Sequence, residues 1–354
     1  MNIHAIENIR CIMNSQDIDA VLIYGKKNKQ YFGALTGGGV YLLVSQNKIW
    51  QIMDGRYTAQ ANSMTEDTEI IVCPKGTYIG KIKEILEEEK IFSLALDNQD
   101  FTISEFLQLQ KSELQLTVWQ EDLIRVRQIK NSDELEKIRK VCALSDKVFE
   151  ALVPKIKVGM KENEVSAWIH FLGLSFGAEK MAFEPIVVSG IRGAFAHGRP
   201  SNKIIEEGEL LTVDFGLELE GYQSDCTRTF AMGEISPEQE KIYRIVREAQ
   251  LTSIEAIALG RKTKFVDKAA RSIIQEAGYG RYFSHGLGHG IGMGGDFPIL
   301  SPSSRDVLEN GMVMTCEPGI YIENFGGVRI EDVVAVFAGK TEILTKYTKK
   351  LIRI

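Results

Sequence analysis

The feature that most constrains this chain is a carboxylate set among core-type residues, repeated in two segments that each read as a β-hairpin. Leu211-Thr212-Val213-Asp214-Phe215-Gly216 and Tyr222-Gln223-Ser224-Asp225-Cys226-Thr227 have strand character, with Glu218-Leu219-Glu220-Gly221 as the turn between them. Folded about the middle of that turn, the hairpin sets Asp214 opposite Asp225, with Cβ atoms roughly 5 Å apart. Side chains alternate faces along a strand, so each carboxylate leaves on one side only. An isolated pair of this spacing is ordinarily a solvated acidic hairpin. The second segment argues otherwise. Met314-Thr315-Cys316-Glu317 runs to Tyr321-Ile322, turns at Glu323-Asn324-Phe325 and returns through Gly327-Val328-Arg329-Ile330-Glu331. Pairing about Asn324 sets Glu317 opposite Glu331 and puts Tyr321 and Arg329 on the same face. The flanking residues are apolar (Leu210, Leu211, Val213, Phe215; Val313, Met314, Ile330, Val333), so both hairpins are expected to be buried. Buried carboxylates without a cation are very costly.

His289 lies in Ser284-His285-Gly286-Leu287-Gly288-His289-Gly290-Ile291-Gly292, where glycines let the backbone pass close to something. A lone histidine is mostly structural; this one joins four acids. Asp214, Asp225, His289, Glu317 and Glu331 offer four hard oxygen ligands and one nitrogen, and two divalent cations would balance the charge. Such a donor set suits Mn²⁺, Co²⁺ or Fe²⁺ better than a thiolate-type zinc site. Two ions roughly 3.5–4 Å apart would clamp a hydrolytic transition state. Cys226 and Cys316 each sit one residue from an acid, hence on the opposite strand face, where packing is expected in place of ligation.

The rest of the chain has room for such a site. With 354 residues, 44% hydrophobic and 25% charged, it reads as a globular protein of two or three domains. A net charge of −6 argues against a nucleic-acid partner. Met1-Asn2-Ile3-His4-Ala5 opens no signal peptide, and no apolar run is long enough to span a membrane. Five scattered cysteines, odd in number, suggest reduced thiols and a cytoplasmic location.

The first part alternates helical and strand patterns: a helical stripe at Ile3, Ile6, Ile9 and Met13, then a strand at 20–24. A hairpin of 40–44 with 49–53 follows, then strands at 70–72 and 94–96 with helices at 79–89 and 102–109. Gly37-Gly38-Gly39 reads as a tight turn, not a phosphate loop. This predicts an α/β domain over 1–127. From 128 to 354 the pattern predicts an α+β domain, opened by the capping pair Asn131 and Glu134 and a helical stripe from Leu135 to Leu152. Further helices are expected at 163–176, 237–258 and 263–277, and strands at 186–189, 210–217, 222–231, 312–322 and 327–337. A glycine-rich stretch covers 286–295.

The D-x10-D spacing, HGxGHGIG, EPG and GVRIED follow in that order, and in this the chain resembles the pita-bread metallopeptidases, in the branch of Xaa-Pro dipeptidase (prolidase) and aminopeptidase P. Asn28–Val44 with Asp54-Gly55-Arg56-Tyr57 resembles that branch's N-terminal domain, which methionine aminopeptidases lack. Creatinase lacks the metal ligands, all present here. The resemblance implies a pita-bread catalytic domain behind a creatinase/prolidase-like α/β domain. It implies two divalent ions, Mn²⁺ ahead of Co²⁺, Zn²⁺ or Fe²⁺. Asp214, Asp225 and Glu331 would hold one; Asp225, His289, Glu317 and Glu331 would hold the other. It further implies cleavage of small peptides before proline by a metal-bridging hydroxide, with Glu317 as general base and His197 (in Ala196-His197-Gly198-Arg199-Pro200) assisting near the scissile nitrogen. His285 would line the pocket beyond the scissile bond, Arg329 would be the site arginine, and the enzyme would be a homodimer.

One departure stands out. The branch follows HGIG with a segment whose histidine contacts the substrate carbonyl. Here Met293-Gly294-Gly295-Asp296-Phe297-Pro298 puts Asp296 in that place, and the proline arrives one residue early. An anion replaces a donor that could steady an oxyanion. Two alternatives follow: a divergent member with weak or altered amide substrates, and a non-catalytic binding protein, against which retention of all five ligands argues.

Overall fold

Alternating apolar residues in the first third of the chain form one mixed sheet. The computed structural model describes every residue except 64–67, 99–100, 111–113 and 120, and the side chain of Asp296. The contacts divide the chain into two units, Met1–Arg127 and Gln128–Ile354. The first unit has strands β1 (Ala20–Ile23), β2 (Tyr41–Ser45), β3 (Ile49–Met53), β4 (Glu69–Val72), β5 (Ser93–Asp97) and β6 (Gln115–Trp119), in the sheet order β4-β3-β2-β1-β5-β6. The β2–β3 hairpin closes with Val44 opposite Ile49. Helices α1 (Ile3–Ser15), α2 (Lys26–Tyr31), α3 (Thr58–Ala61), α4 (Tyr78–Glu88), α5 (Ile103–Gln110) and α6 (Asp122–Val126) complete the unit. Asn2 caps α1, whose buried face is Ala5, Ile6, Ile9 and Met13. Helix α2 has no apolar period to announce it. Its Lys29 is buried instead, donating to the carbonyls of Gly37 and Val40 at 3.0 and 2.8 Å.

The second unit begins with α7 (Ser132–Leu152), opened by a reciprocal capping box of Asn131 and Glu134. Its expected stripe (Leu135, Ile138, Cys142, Ser145, Val148, Phe149 and Leu152) is buried. Helices α8 (Glu162–Ser175), α9 (Pro237–Glu255) and α10 (Thr263–Glu276) follow the 3.6-residue pattern of the sequence. The strands are β7 (Lys180–Met181), β8 (Ile186–Ser189), β9 (Leu210–Phe215), β10 (Leu217–Leu219), β11 (Tyr222–Gln223), β12 (Cys226–Ala231), β13 (Gly288–Ile291), β14 (Gly295–Leu300), β15 (Met312–Cys316), β16 (Gly319–Ile322), β17 (Gly326–Arg329), β18 (Asp332–Phe337) and β19 (Lys340–Ile343). They form sheets ordered β12-β9-β8, β11-β10-β7, β14-β13-β15-β18-β19 and β16-β17. Two cores clamp these sheets. Val148, Phe149, Val165 and Ile169 of α7 and α8 cluster with Leu211, Val213 and Phe215. Ile242, Val246, Val266 and Ala270 of α9 and α10 cluster with Met312, Met314, Val334 and Val336. Among the described residues no helix is long and apolar enough to cross a membrane.

Both acid-bearing hairpins form, and the first corrects its expected register. Asp214 pairs with Thr227 and Phe215 with Cys226, so Asp214 is not directly opposite Asp225. The turn is centred one residue later than expected, on Glu220 and Gly221, with φ of 51° and 79°. Positive φ at both central residues is what a two-residue hairpin turn of the primed type requires. Moving the centre by one shifts the partner by two, so the two aspartates keep the same face. The second hairpin is centred on Asn324, as expected: Gly319 pairs with Arg329 and, in the same register, Cys316 with Asp332.

The expected long strands are broken where the acids sit. Ser224–Asp225 separates β11 from β12, Glu317–Pro318 separates β15 from β16, and Ile330–Glu331 separates β17 from β18. Pro318 has no N–H for a ladder. The backbone freed at the other breaks bonds across sheets: Glu317 N–H to the Leu287 carbonyl (2.8 Å), Glu331 N–H to that of Thr227 (3.2 Å), Gln223 N–H to that of Gly292 (2.8 Å). The glycine-rich stretch at 286–295, for which no strand was expected, contains β13, a turn and the start of β14. Gly288 shows why strand packing there needs glycine: a Cβ would lie 2.2 Å from the Thr315 carbonyl oxygen.

Candidate metal centre

The breaks bring the acids together. Asp214, Asp225 and Glu331 each present an oxygen within 4.8 Å of the others. His289, on β13, approaches from the side: its Nε2 is 3.8 Å from Asp225 Oδ2 and 3.7 Å from Glu317 Oε1. All five line one cavity of about 560 Å³, which His197, His285, Arg329 and Tyr321 also line. Asp296 pairs through its backbone with Gly290; its side chain lies outside the described residues.

The electrostatics of the cluster are those of a site short of positive charge. Burial pushes the Asp225 carboxyl well above the usual aspartate range, and the charges of Asp214 and Glu317 push the same way. Burial likewise raises Glu331, reinforced by Asp225 and Glu317. Asp214 is raised by burial against the opposing pull of Arg329. That guanidinium is the neutralising cation at hand, with Nη2 2.6 Å from Asp214 Oδ2. The other Asp214 oxygen, Oδ1, is buried with no hydrogen-bond partner among the described residues. His289 adds a second sign. Its Nδ1 is 2.9 Å from the Gly290 carbonyl and must donate there, so in the neutral imidazole Nε2 is a lone pair aimed at two carboxylates. An orphaned carboxylate oxygen and converging lone pairs are what a hard divalent cation would satisfy. The donor set fits.

Several groups orient the ligands. Thr227 donates to Glu331 Oε2 (2.6 Å) and accepts from Arg329 Nε (3.1 Å). Thr315 donates to Glu317 Oε1 (3.0 Å) and accepts from the backbone N–H of His289 (3.0 Å). Behind Glu331, the buried Asp332 pairs with Arg228 (2.8 Å) and Lys349 (2.5 Å), and Arg228 also donates to the Glu331 carbonyl. Sequence reading missed Thr227 and Asp332 as members of the site. Alternation could have found both, since Thr227 shares the face of Asp225 and Asp332 faces away from Glu331. Cys226 and Cys316, on the far faces, are buried in the two cores.

Burial lowers the pKa of His285, outweighing the pull of Glu317. Its Nδ1 donates to the Gly286 carbonyl (2.7 Å) and its Nε2 accepts from the Tyr321 hydroxyl (3.0 Å), which in turn accepts from Arg329 Nη1 (2.9 Å). Both nitrogens are thus engaged, and His285 forms a wall of the cavity. His197 is exposed on the loop after β8 and faces the same cavity.

Comparison with known proteins decides the family. Residues 136–338, more than half of the chain, match the model of metallopeptidase family M24, and residues 6–129 match the creatinase/prolidase N-terminal domain. The chain belongs to metallopeptidase family M24. Membership makes the chain a metal-dependent peptidase and implies divalent metal ions. Among its relatives is the Xaa-Pro dipeptidase of Pyrococcus horikoshii, 36% identical over 98% of each chain. Similar solved structures include the Xaa-Pro dipeptidase from Bacillus anthracis (TM-score 0.95, 35% identity, 99% of each chain). Another is the X-Pro aminopeptidase from Thermotoga maritima (TM-score 0.87, 34% identity, covering 96% of this chain and 98% of that one). The pita-bread architecture and its α/β N-terminal domain are therefore those of the M24 prolidases.

Proposed function

We propose that this M24 metallopeptidase hydrolyses the bond before proline in small peptides, using two divalent ions held by Asp214, Asp225, His289, Glu317 and Glu331. The observation that carries this reading is the convergence of those five side chains on one cavity with too little protein positive charge to balance them. Divalent ions bound there would supply Lewis-acid polarisation and charge neutralisation, with Mn²⁺ the first choice for an oxygen-rich set. The protein's own groups do the rest. Asp225 and Glu331 would contribute to holding both ions. Glu317, steadied by Thr315, would accept and return a proton. His197, exposed at the cavity, would attend the leaving nitrogen. Arg329 fixes Asp214 and, through Tyr321, the His285 wall. Phe183, Ile186 and Ile299 give the cavity an apolar side for a proline ring. Five free cysteines, four of them buried, are in keeping with a cytoplasmic enzyme, and a homodimer is the expected assembly, checked by light scattering.

The test is hydrolysis by Mn²⁺-loaded protein of an Xaa-Pro dipeptide, a longer Xaa-Pro peptide and a matched Xaa-Ala control, alongside metal analysis. About two ions per chain and cleavage confined to the proline substrates are expected. No bound metal, or no preference for proline, refutes the reading.

A further inference from the structure

The backbone of Glu331 lies in the gap between β17 and β18, outside any ladder. Its N–H goes to the Thr227 carbonyl (3.2 Å), and its own carbonyl accepts from Arg228 Nη1. Arg228 is buried and spends every N–H it has. Nη1 also donates to the Thr227 carbonyl (2.8 Å), Nη2 to Asp332 Oδ1 (2.8 Å) and the Tyr347 carbonyl (2.6 Å), and Nε to the Thr348 carbonyl (3.0 Å). Asp332 is equally buried and accepts on both oxygens: from Arg228 and Thr345 (2.8 Å) at Oδ1, and from Gln250 (2.8 Å) and Lys349 (2.5 Å) at Oδ2. The segment 345–349, beyond β19, thus supplies both donors to Asp332 and acceptors to Arg228. It is itself pinned. Asp146 of α7 accepts from the backbone N–H groups of Lys346 (2.7 Å) and Tyr347 (2.8 Å), and the Tyr347 ring stacks on Phe149 with centroids 5.0 Å apart.

We infer that Lys349 and its segment are positioning elements of the metal centre: they hold Arg228, and through it the Glu331 backbone, so that the Glu331 carboxylate stays beside Asp214 and Asp225. This rests on the metal reading above. Stability alone does not account for the network. Desolvation of a buried ion pair often cancels its attraction, and apolar residues of the same volume would serve as well. What an apolar cluster cannot do is hold a carbonyl that has left its ladder. Every polar atom of the Arg228 guanidinium and of the Asp332 carboxylate has a partner, the condition under which a buried polar network rigidifies its surroundings. Lys349 completes that condition from 17 residues beyond Asp332. Two opposed effects would follow from its loss. By charge alone, removing a cation near the acids strengthens Mn²⁺ binding. By position, a loosened Glu331 weakens it, and lost ligand-orienting partners typically cost about 10- to 100-fold in metal affinity. The positioning role requires the second effect to win.

The test is calorimetric binding of Mn²⁺ to chelator-treated protein, in wild type, Lys349→Met, Lys349→Arg and Thr345→Val, each checked for folding by circular dichroism. Ile274→Ala, a buried truncation in α10 outside the network, controls for lost stability alone. Lys349→Met should bind Mn²⁺ about 10- to 100-fold more weakly than wild type. Lys349→Arg, which restores a cationic donor, should recover most of the loss. Thr345→Val, which removes a neutral donor from the same carboxylate, should show a smaller loss, and Ile274→Ala none. Unchanged or tighter binding by Lys349→Met overturns the inference. An equal loss in Ile274→Ala also overturns it, since the effect would then be general loosening. If Lys349→Met does not fold, Thr345→Val decides, and unchanged affinity there overturns the inference. Wild type that binds no Mn²⁺ refutes the metal reading, and this inference with it.

Discussion

Asp225→Asn should make the metal-free protein more stable while removing its response to metal. Asp225 lies in a cluster whose carboxylate oxygens are within 4.8 Å of each other, and the nearby guanidinium is spent on Asp214. Two full charges at that 4.8 Å limit repel by about 3–4 kcal/mol at an effective dielectric near 20, and closer ones by more. Part of that is already relieved by protonation, because burial and the neighbouring acids push the Asp225 carboxyl well above its usual range. A neutral amide of the same shape should therefore recover about 2 kcal/mol, within the range found when buried charges are replaced. For a unit of this size that is a rise in Tm of roughly 4–8 °C. The pH dependence has a definite sign. A carboxyl whose folded pKa is raised costs nothing below the ordinary aspartate pKa, and its cost grows as pH climbs toward the folded value. The advantage of the amide should thus be largest near pH 8 and vanish near pH 4. Mn²⁺ reverses the ranking: at one hundred times its Kd it should stabilise the wild type by about 2.7 kcal/mol and the variant by far less. Thermal unfolding followed by circular dichroism, after chelation and again with MnCl₂, at several pH values, measures all of this. A metal-free variant less stable than wild type at pH 8, or an equal response to Mn²⁺, would refute the argument that these acids form a metal cradle.

Three further outcomes follow from the same geometry. Arg329→Leu leaves Asp214 without its buried cation and should cost about 3–5 kcal/mol in the metal-free protein, seen as a lower midpoint in urea. Thr227→Val removes the hydroxyl that donates to Glu331 and accepts from Arg329; a loss of about 1–3 kcal/mol is expected, with weaker Mn²⁺ binding by calorimetry. Gly288→Ala forces a methyl against the Thr315 carbonyl and must shift β13; Mn²⁺ affinity should fall about 10-fold or more, through displaced His289, while the helical content by circular dichroism stays unchanged.

The convergence of the five proposed ligands on one cavity was legible because strand alternation has period two, and a face assignment survives any register error of two residues. The first hairpin shows this directly: its turn centre was misplaced, Asp214 faces Thr227, and the two aspartates still meet on one side. What alternation does not carry is where a strand stops pairing with its neighbour. An unbroken β15–β16 or β17–β18 strand would keep Glu317 and Glu331 in one two-stranded ladder, away from His289. Glu317 and Glu331 instead leave their ladders, Glu317 N–H bonding to the Leu287 carbonyl just before β13 and Glu331 N–H to that of Thr227 in β12. Only Pro318 announces such a break locally; the one at Glu331 depends on a partner 104 residues away in sequence. The same holds for β13. Glycines between two histidines look like a loop in one dimension, and they are a strand because Thr315 passes within 2.2 Å of where a Cβ would stand. The proposed metal site is therefore a junction of sheets, and the junction that strips its acids of solvent is also what gathers enough of them to hold a cation, should one bind there.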